Sequence, residues 1–245
     1  MIDFLQNIDT ATFLAFNGMH NSFFDSFMYF ITGRFVWVPM YAAIVWMLFR
    51  MFVWRKALVI ALCIIAVIAA TDMLIADVIR PYCARFRPGH PMSPIADLVH
   101  NVNGYRGGRY GFPSCHGGNS FALATFMSLL VSRRRFTVFI FMWAFLHSYS
   151  RLYLGVHYPG DLLTGAVIGS LIAYVIWKLS CRLTGRFKDS GLRDPYAKVI
   201  CIPELNYGHV LSVKAIPLAP CDIFTSIGLL TFAVGIAYAC VMVVI

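Results

Sequence analysis

The chain has 245 residues, 60% of them hydrophobic and only 13% charged, with a formal net charge of +9. A soluble domain is about half apolar and a quarter charged, so this composition calls for lipid as solvent and reads as one integral membrane domain. The positive balance would point to nucleic acid in a soluble protein. Here the basic residues flank apolar runs, so no nucleic-acid partner is expected and the charge reads as membrane topology.

In chain order, residues 1–25 carry Phe4, Leu5, Ile8, Phe13, Leu14 and Phe16 among polar positions, the pattern of an amphipathic segment lying in the membrane interface. Asp3 and Asp9, with no Lys or Arg before Arg34, do not make the basic start of a signal peptide. Six apolar runs are long enough to span a bilayer, or nearly so. They cover about 28–49, interrupted by Gly33 and Arg34; 57–79, clean until Asp72 and Asp77; 117–132; 136–152; 160–178; and 223–245. The fold class is therefore an all-α six-span helical bundle in a single domain over 1–245. Its core covers 28–180, and 223–245 is an additional C-terminal span. In the fifth run Gly165, Gly169 and Ala173 recur every four residues, which lets a neighbouring helix approach closely.

The connections at 50–56 and 132–135 are basic, as is the longer one at 179–222 with Arg182, Arg186, Lys188, Arg193, Lys198 and Lys214. The positive-inside rule makes them cytoplasmic in a bacterial inner membrane. Segments 80–116 and 150–161 then face the periplasm or exterior. They are basic too, which the topology rule does not explain, so their arginines need a separate job. Seven scattered cysteines form no CxxC pair, which argues against a zinc ribbon or redox motif; Cys83 and Cys115, on one side, leave a disulfide open.

Three outward clusters hold the chemistry: RPYCARFRP (Arg80–Pro88), GFPSCHGG (Gly111–Gly118) and SRLYLGVHYPGD (Ser150–Asp161). Arginine forks bind phosphate oxygens in pairs and stay charged. The start of a helix at Pro-Ser-Cys-His-Gly-Gly offers free backbone N–H groups to an anion, and Ser114 adds a hydroxyl. His157 precedes Asp161 by four residues. A carboxylate that accepts the Nδ1–H leaves Nε2 nucleophilic, and His116 can protonate a departing oxygen. That is a phosphohistidine mechanism in which arginines supply the charge stabilisation, so no metal and no cofactor are called for.

Reaching for headgroups is the lesser reading of Arg80 and Arg87. Taken alone, His157 and Asp161 fit better an interfacial histidine beside a helix-capping aspartate. Arg151 at matched spacing and the two other clusters reverse that preference. Arg85, Arg106 and Arg109 read as contacts to a headgroup or anionic surface. Asp72 and Asp77 read as partners for nearby arginines, and His90, His100 and His147 as structural.

The three clusters resemble the signature of the type 2 phosphatidic acid phosphatase superfamily, membrane lipid phosphatases related to haloperoxidases. The family pattern is Lys-x6-Arg-Pro, Pro-Ser-Gly-His, and Ser-Arg-x5-His-x3-Asp. Ser150, Arg151, His157 and Asp161 match the third part in full; Pro113-Ser114-Cys115-His116 stands for the second and Arg80-x6-Arg87-Pro88 for the first. The resemblance implies His157 as nucleophile, Asp161 as its orienting partner and His116 as general acid. It implies a phosphate site of Arg80, Arg87, Arg151 and Ser114, helped by the backbone N–H groups of Cys115 and His116.

Two positions depart from the pattern. Arg80 replaces lysine, exchanging a point charge for a planar fork. Cys115 replaces glycine, and would be strained by a left-handed backbone. Activity is expected to survive, because both histidines and every cationic position are present.

The expected function is metal-independent hydrolysis of a membrane lipid phosphomonoester or diphosphate at the outer face. Lipid A phosphate and undecaprenyl diphosphate rank equally, ahead of phosphatidylglycerol phosphate and phosphatidic acid. A lipid phosphotransferase or a non-catalytic lipid-phosphate binder or transporter is the alternative.

Overall fold

A computed structural model describes residues 2–33, 35–184 and 220–244. Among these residues the fold is entirely helical, with one isolated bridge between Phe86 and Tyr110. The helices are α1 (Ile2–Asn17), α2 (Ser22–Ile31), α3 (Val38–Met51), α4 (Trp54–Asp72), α5 (Arg80–Cys83), α6 (Cys115–Val131), α7 (Arg134–Tyr153), α8 (Pro159–Thr184) and α9 (Pro220–Val244). A π-helical stretch, Met73–Ile79, joins α4 to α5, so one helical rod runs Trp54–Cys83.

Among the described residues three helices are long and apolar enough to cross a membrane: Trp54–Cys83, Pro159–Thr184 and Pro220–Val244. The protein is a multi-pass membrane protein. The run expected at 28–49 is not one helix. Thr32 ends α2, and its N–H bonds back to Met28 O. Pro39, at the start of α3, favours a new helix there because its ring lacks an N–H. The indole of Trp37 donates to Ile31 O (2.7 Å) and ties the two pieces together. At 14 residues α3 is about 21 Å long, short of the hydrocarbon thickness.

The N-terminal segment is helical as its pattern suggests, with Phe4, Leu5, Ile8 and Phe16 exposed. Phe13 is fully buried, however, in a small cluster with Leu152, Tyr158 and Leu162. Asn17 at the end of α1 donates to Tyr153 O (2.9 Å) and accepts from His100 N (2.8 Å). Helix α1 is thus built onto the ends of α7 and α8.

Helices α6 and α8 pack backbone to backbone. A Cβ on Gly165 would collide with Ser114 O, and one on Gly169 with Gly118 O. The small-residue stripe therefore serves packing against a neighbouring span. It sets the start of α6 beside the first turn of α8. Helix α9 closes the other side against α2 and α3, and its Phe224 meets α7 with its ring tilted against Phe136 and edge-on to Phe139. The basic connection expected at 179–222 lies mostly outside the described residues.

Candidate active site

Three chain breaks bring the clusters together. Ala84 adopts a left-handed conformation (φ 44°) with its N–H on Arg80 O, which stops α5 and turns the chain outward. Segment 85–87 then pairs with 109–111 through Gly111 N to Arg85 O (2.9 Å) and Arg87 N to Arg109 O (3.3 Å). Ser114 caps α6, its Oγ accepting from Gly117 N (3.3 Å) while its own N–H donates to Asp161 O (2.9 Å). The start of α6 is therefore pinned to the first turn of α8.

His157 sits in the short link between α7 and α8 and is 1% exposed. Its Nδ1 lies 3.2 Å from Asp161 Oδ2, which also accepts from Tyr158 N (3.0 Å). Its Nε2 lies 3.0 Å from Arg87 Nη1. A guanidinium can only donate, so Nε2 must be the acceptor and the ring proton must sit on Nδ1, facing Asp161. Burial holds the imidazole well below the ordinary histidine range, and the charges of Arg87, Arg151 and Arg80 hold it lower still. The histidine is neutral, with its lone pair turned toward the cations.

The three arginines are fixed by acceptors that carry no charge. Arg87 donates from Nε to Tyr110 O (3.1 Å) and from Nη1 to Val156 O (3.3 Å). Burial, with Arg151 and Arg80 nearby, pushes its guanidinium down to about 10. Arg151 donates to Thr32 Oγ1 (2.8 Å) and to the Tyr105 hydroxyl (3.0 Å). Arg80 donates from Nη2 to Pro113 O (3.0 Å) and to Cys115 Sγ (3.0 Å). The Nε atoms of Arg80 and Arg151 are buried without a hydrogen-bond partner. A cluster of positive charge with unspent donors is a site for a multiply charged anion.

Cys115 is the first residue of α6 and is not among the positive-φ residues. The position needs no glycine, and the two departures from the family pattern touch each other. Cys83 and Cys115 are both free thiols, so no disulfide joins them.

His116, half-buried one position further along α6, stacks on His147 (5.7 Å between centroids). His147 in turn hydrogen-bonds Ser120 Oγ through Nδ1 (2.8 Å) and stacks on Trp143. Its expected structural part is therefore to hold His116.

Two expectations are corrected. Among the described residues neither Asp72 nor Asp77 pairs with an arginine: Asp72 accepts from Asn119 Nδ2 (2.9 Å), and Asp77 is exposed on the π-helical stretch. The π-helical stretch changes the angular spacing, so these carboxylates do not follow the register of the arginines beyond them. Arg85 does not face a headgroup. It turns inward to Asp161 Oδ1 (3.1 Å) and to Asp9 Oδ2 (2.6 Å). Arg109 lies over the Phe86 and Tyr110 rings, and Arg106 is exposed. Thr32, Tyr105 and Asp9 were missed because no local spacing links them to the motifs.

A group of metal-ligating types, His20, Asp25 and His100, includes none of these residues. Its two imidazoles are parallel (4°) and 3.7 Å apart, so their in-plane lone pairs cannot meet at one ion as they stand. Asp25 is already engaged by His100 and by the Tyr153 hydroxyl (2.7 Å).

The sequence pattern described as PAP2 superfamily matches residues 56–184, more than half of the chain. The chain belongs to the PAP2 superfamily. Two relatives are named lipid A 4'-phosphatase. The one from Bacteroides thetaiotaomicron is 48% identical over 189 residues, covering 77% of this chain and 84% of that protein. The one from Porphyromonas gingivalis is 33% identical over 178 residues, covering 73% and 75%. The undecaprenyl-diphosphatase BcrC of Bacillus subtilis is 27% identical over 177 residues, covering 69% and 82%. Among solved structures, Aquifex aeolicus LpxE superposes with a TM-score of 0.52 at 22% identity, over 69% of this chain and 94% of that one. A transmembrane PAP2-type phosphatidylglycerolphosphate phosphatase of B. subtilis gives 0.54 at 23% identity, over 76% and 89%. At those identities the structures support the PAP2 fold alone.

Proposed function

We propose that this protein is a lipid phosphate phosphatase that works through a phosphohistidine on His157, at the outer face of a bacterial inner membrane, with lipid A as its substrate. The observation that carries the mechanism is the line Arg87–His157–Asp161. It holds one imidazole neutral, with its unprotonated Nε2 accepting from Arg87 and in the field of two further guanidiniums.

An arriving phosphate draws Arg87 Nη1 from Nε2 onto its own oxygen. Arg80 and Arg151 Nε, the Ser114 hydroxyl and the N–H groups of Cys115 and His116 take the other oxygens. Nε2 then attacks phosphorus, and the phosphorus–oxygen bond to the lipid breaks. Asp161 steadies the imidazole as it becomes positive, and His116 gives its proton to the departing oxygen. Water, losing a proton to His116, attacks the phosphohistidine. The phosphorus–nitrogen bond breaks, and inorganic phosphate leaves. The guanidiniums supply the charge stabilisation that a metal would otherwise give.

An apolar cavity of about 500 Å³ supports a lipid leaving group. It runs from His116 between α3, α4, α6 and α7, past Trp37, Tyr41, Ile44, Leu48, Ile64 and Ile68. A chain held there stays in the bilayer while its phosphate reaches the arginines. The relatives named for lipid A favour that substrate, and the one named for undecaprenyl diphosphate makes it the second reading. In this reading the whole chain is one domain. Its six crossings are the end of α2 continued by α3, then α4, α6, α7, α8 and α9; α1 lies along the outer interface, and 179–222 is cytoplasmic.

The test is phosphate release by the purified protein in EDTA. The panel holds lipid A, undecaprenyl diphosphate, phosphatidylglycerol phosphate and phosphatidic acid, with His157→Ala beside the wild type. Release from lipid A that the substitution abolishes is the expected result. Phosphorylated acceptor lipid in place of free phosphate would make the protein a phosphotransferase. No turnover of any kind would leave a binder.

A further inference from the structure

Helix α1 contributes to the site a residue from outside the three motifs. Asp9 Oδ2 takes a hydrogen bond from Arg85 Nη1 (2.6 Å), and the same nitrogen donates to Asp161 Oδ1 (3.1 Å). The other Asp9 oxygen accepts from Gly160 N (2.7 Å), one residue before Asp161. The guanidinium lies over Tyr158, its Cζ 3.8 Å from the ring centroid. One turn along α1, Phe13 packs against the same ring (5.3 Å) and is fully buried. A Cβ on Gly160 would come within 2.9 Å of the Asp9 carboxylate, so only glycine lets α1 seat this closely. The side chains of Arg85 and Asp9 are 21% and 14% exposed, so the pair is largely withdrawn from water.

We propose that Asp9 and Arg85 are positioning residues for the His157 nucleophile, acting through Asp161. The proposal rests on the reading of His157 given above. Asp161 is 1% exposed, and its Oδ2 is spent on His157 and Tyr158 N. Without Arg85 its Oδ1 would be a buried oxygen lacking a partner, free to turn and take the imidazole with it. Without Asp9 the guanidinium would belong wholly to Asp161 and would drain the charge that steadies the imidazolium formed on attack. Sharing one cation between two carboxylates holds Asp161 in place and leaves part of its charge for His157.

The groups facing His157 are Arg80 at the end of the α4–α5 rod, Arg87 on the outer loop, His116 on α6, Arg151 on α7 and Asp161 on α8. Asp9 and Arg85 stand one step behind them. Removing Asp9 takes away a negative charge and makes His157 harder to protonate. Removing Arg85 takes away a positive one and does the opposite. The two variants therefore shift the acidic limb of activity in opposite directions, which a merely structural brace would not do.

The experiment measures phosphate release from lipid A by purified full-length protein across pH, for wild type, Asp9→Asn, Asp9→Glu, Arg85→Gln and His157→Ala. Asp9→Asn and Arg85→Gln should lower kcat about ten- to a hundredfold, as loss of orientation does, with KM within about twofold because neither residue touches the phosphate. The acidic limb of kcat/KM should move down by about half a pH unit in Asp9→Asn and up by about as much in Arg85→Gln, the size expected for one charge removed several ångströms away. Asp9→Glu should return the limb to its wild-type position.

Limbs that stay put or move together, a wild-type kcat in Asp9→Asn, or a loss confined to KM would each overturn the proposal. If Asp9→Asn does not purify as folded protein, Gly160→Ala displaces the same carboxylate and must lower kcat at constant KM; a wild-type kcat there overturns it too. An inactive wild type or an active His157→Ala would instead remove the mechanism beneath it.

Discussion

Arg87 and His157 hold each other through the hydrogen bond between Nη1 and Nε2. The arginine fixes the imidazole tautomer by donating to Nε2, and in the proposed mechanism that nitrogen is free to attack phosphorus only when a phosphate claims the arginine. Arg87→Lys keeps the charge but loses the fork and the Tyr110 bond, so kcat/KM should fall about a hundredfold, as for loss of one transition-state donor. Steady-state release from lipid A checks this. The Arg80–Cys115 contact predicts coupling between the two departures from the family pattern. Arg80→Lys and Cys115→Gly should each lower kcat/KM severalfold, while the double variant should recover most of the loss, with a coupling of about 1 kcal/mol. Additive effects in the cycle would show two independent changes. Burial and its cationic neighbours place His157 below the ordinary histidine range, so the unfolded chain takes up the proton first. Its share of stability is full above about pH 6.5 and is lost as the pH falls below that value toward the folded-state pKa. Melting temperature in detergent should therefore drop from about pH 7.5 to about 5.5, and His157→Asn should flatten that slope.

At the scale of elements, the site is made where helices stop. The turn at Ala84 places an L-residue at φ 44°, a conformation that costs it about 1 kcal/mol and glycine almost nothing. Ala84→Gly should raise the melting temperature by a few degrees without changing kcat, because the side chain plays no part in the chemistry. The close α6–α8 approach predicts the reverse at Gly169. Gly169→Leu must push the Gly118 carbonyl away, shift the start of α6, and lose both fold stability and activity. A folded, active Gly169→Leu enzyme would show that the two helices can part without disturbing the site. Apolar runs marked most of the helices well, because burial in lipid or protein demands them. The break between α2 and α3 was legible only as Gly33 and Arg34 inside an apolar run. Hydropathy averages over such a stop, whereas Pro39 and the Trp37 indole decide it locally.

Over the whole molecule, membrane class and chemistry stood in the residues themselves. Composition demanded lipid, and the order of the three clusters identified the family. His157 lies four residues from Asp161 and six from Arg151, so local backbone geometry alone keeps them close. Contacts across the bundle left no such mark. Asp9 lies 151 residues from Gly160 and 76 from Arg85, Thr32 lies 119 from Arg151, and Arg80 lies 35 from Cys115. Short-range geometry is written in spacing because a turn or helix repeats at a set period. Long-range contacts depend on which faces pack, and packing is settled only when the whole chain competes for the same core. The sequence by itself determined a lipid-embedded chain of the PAP2 superfamily and named the two histidines of the candidate site. Only the tertiary structure decided that Arg87 meets Nε2, that Arg85 turns inward to Asp161, and that the first helix seats against Arg85 and Gly160.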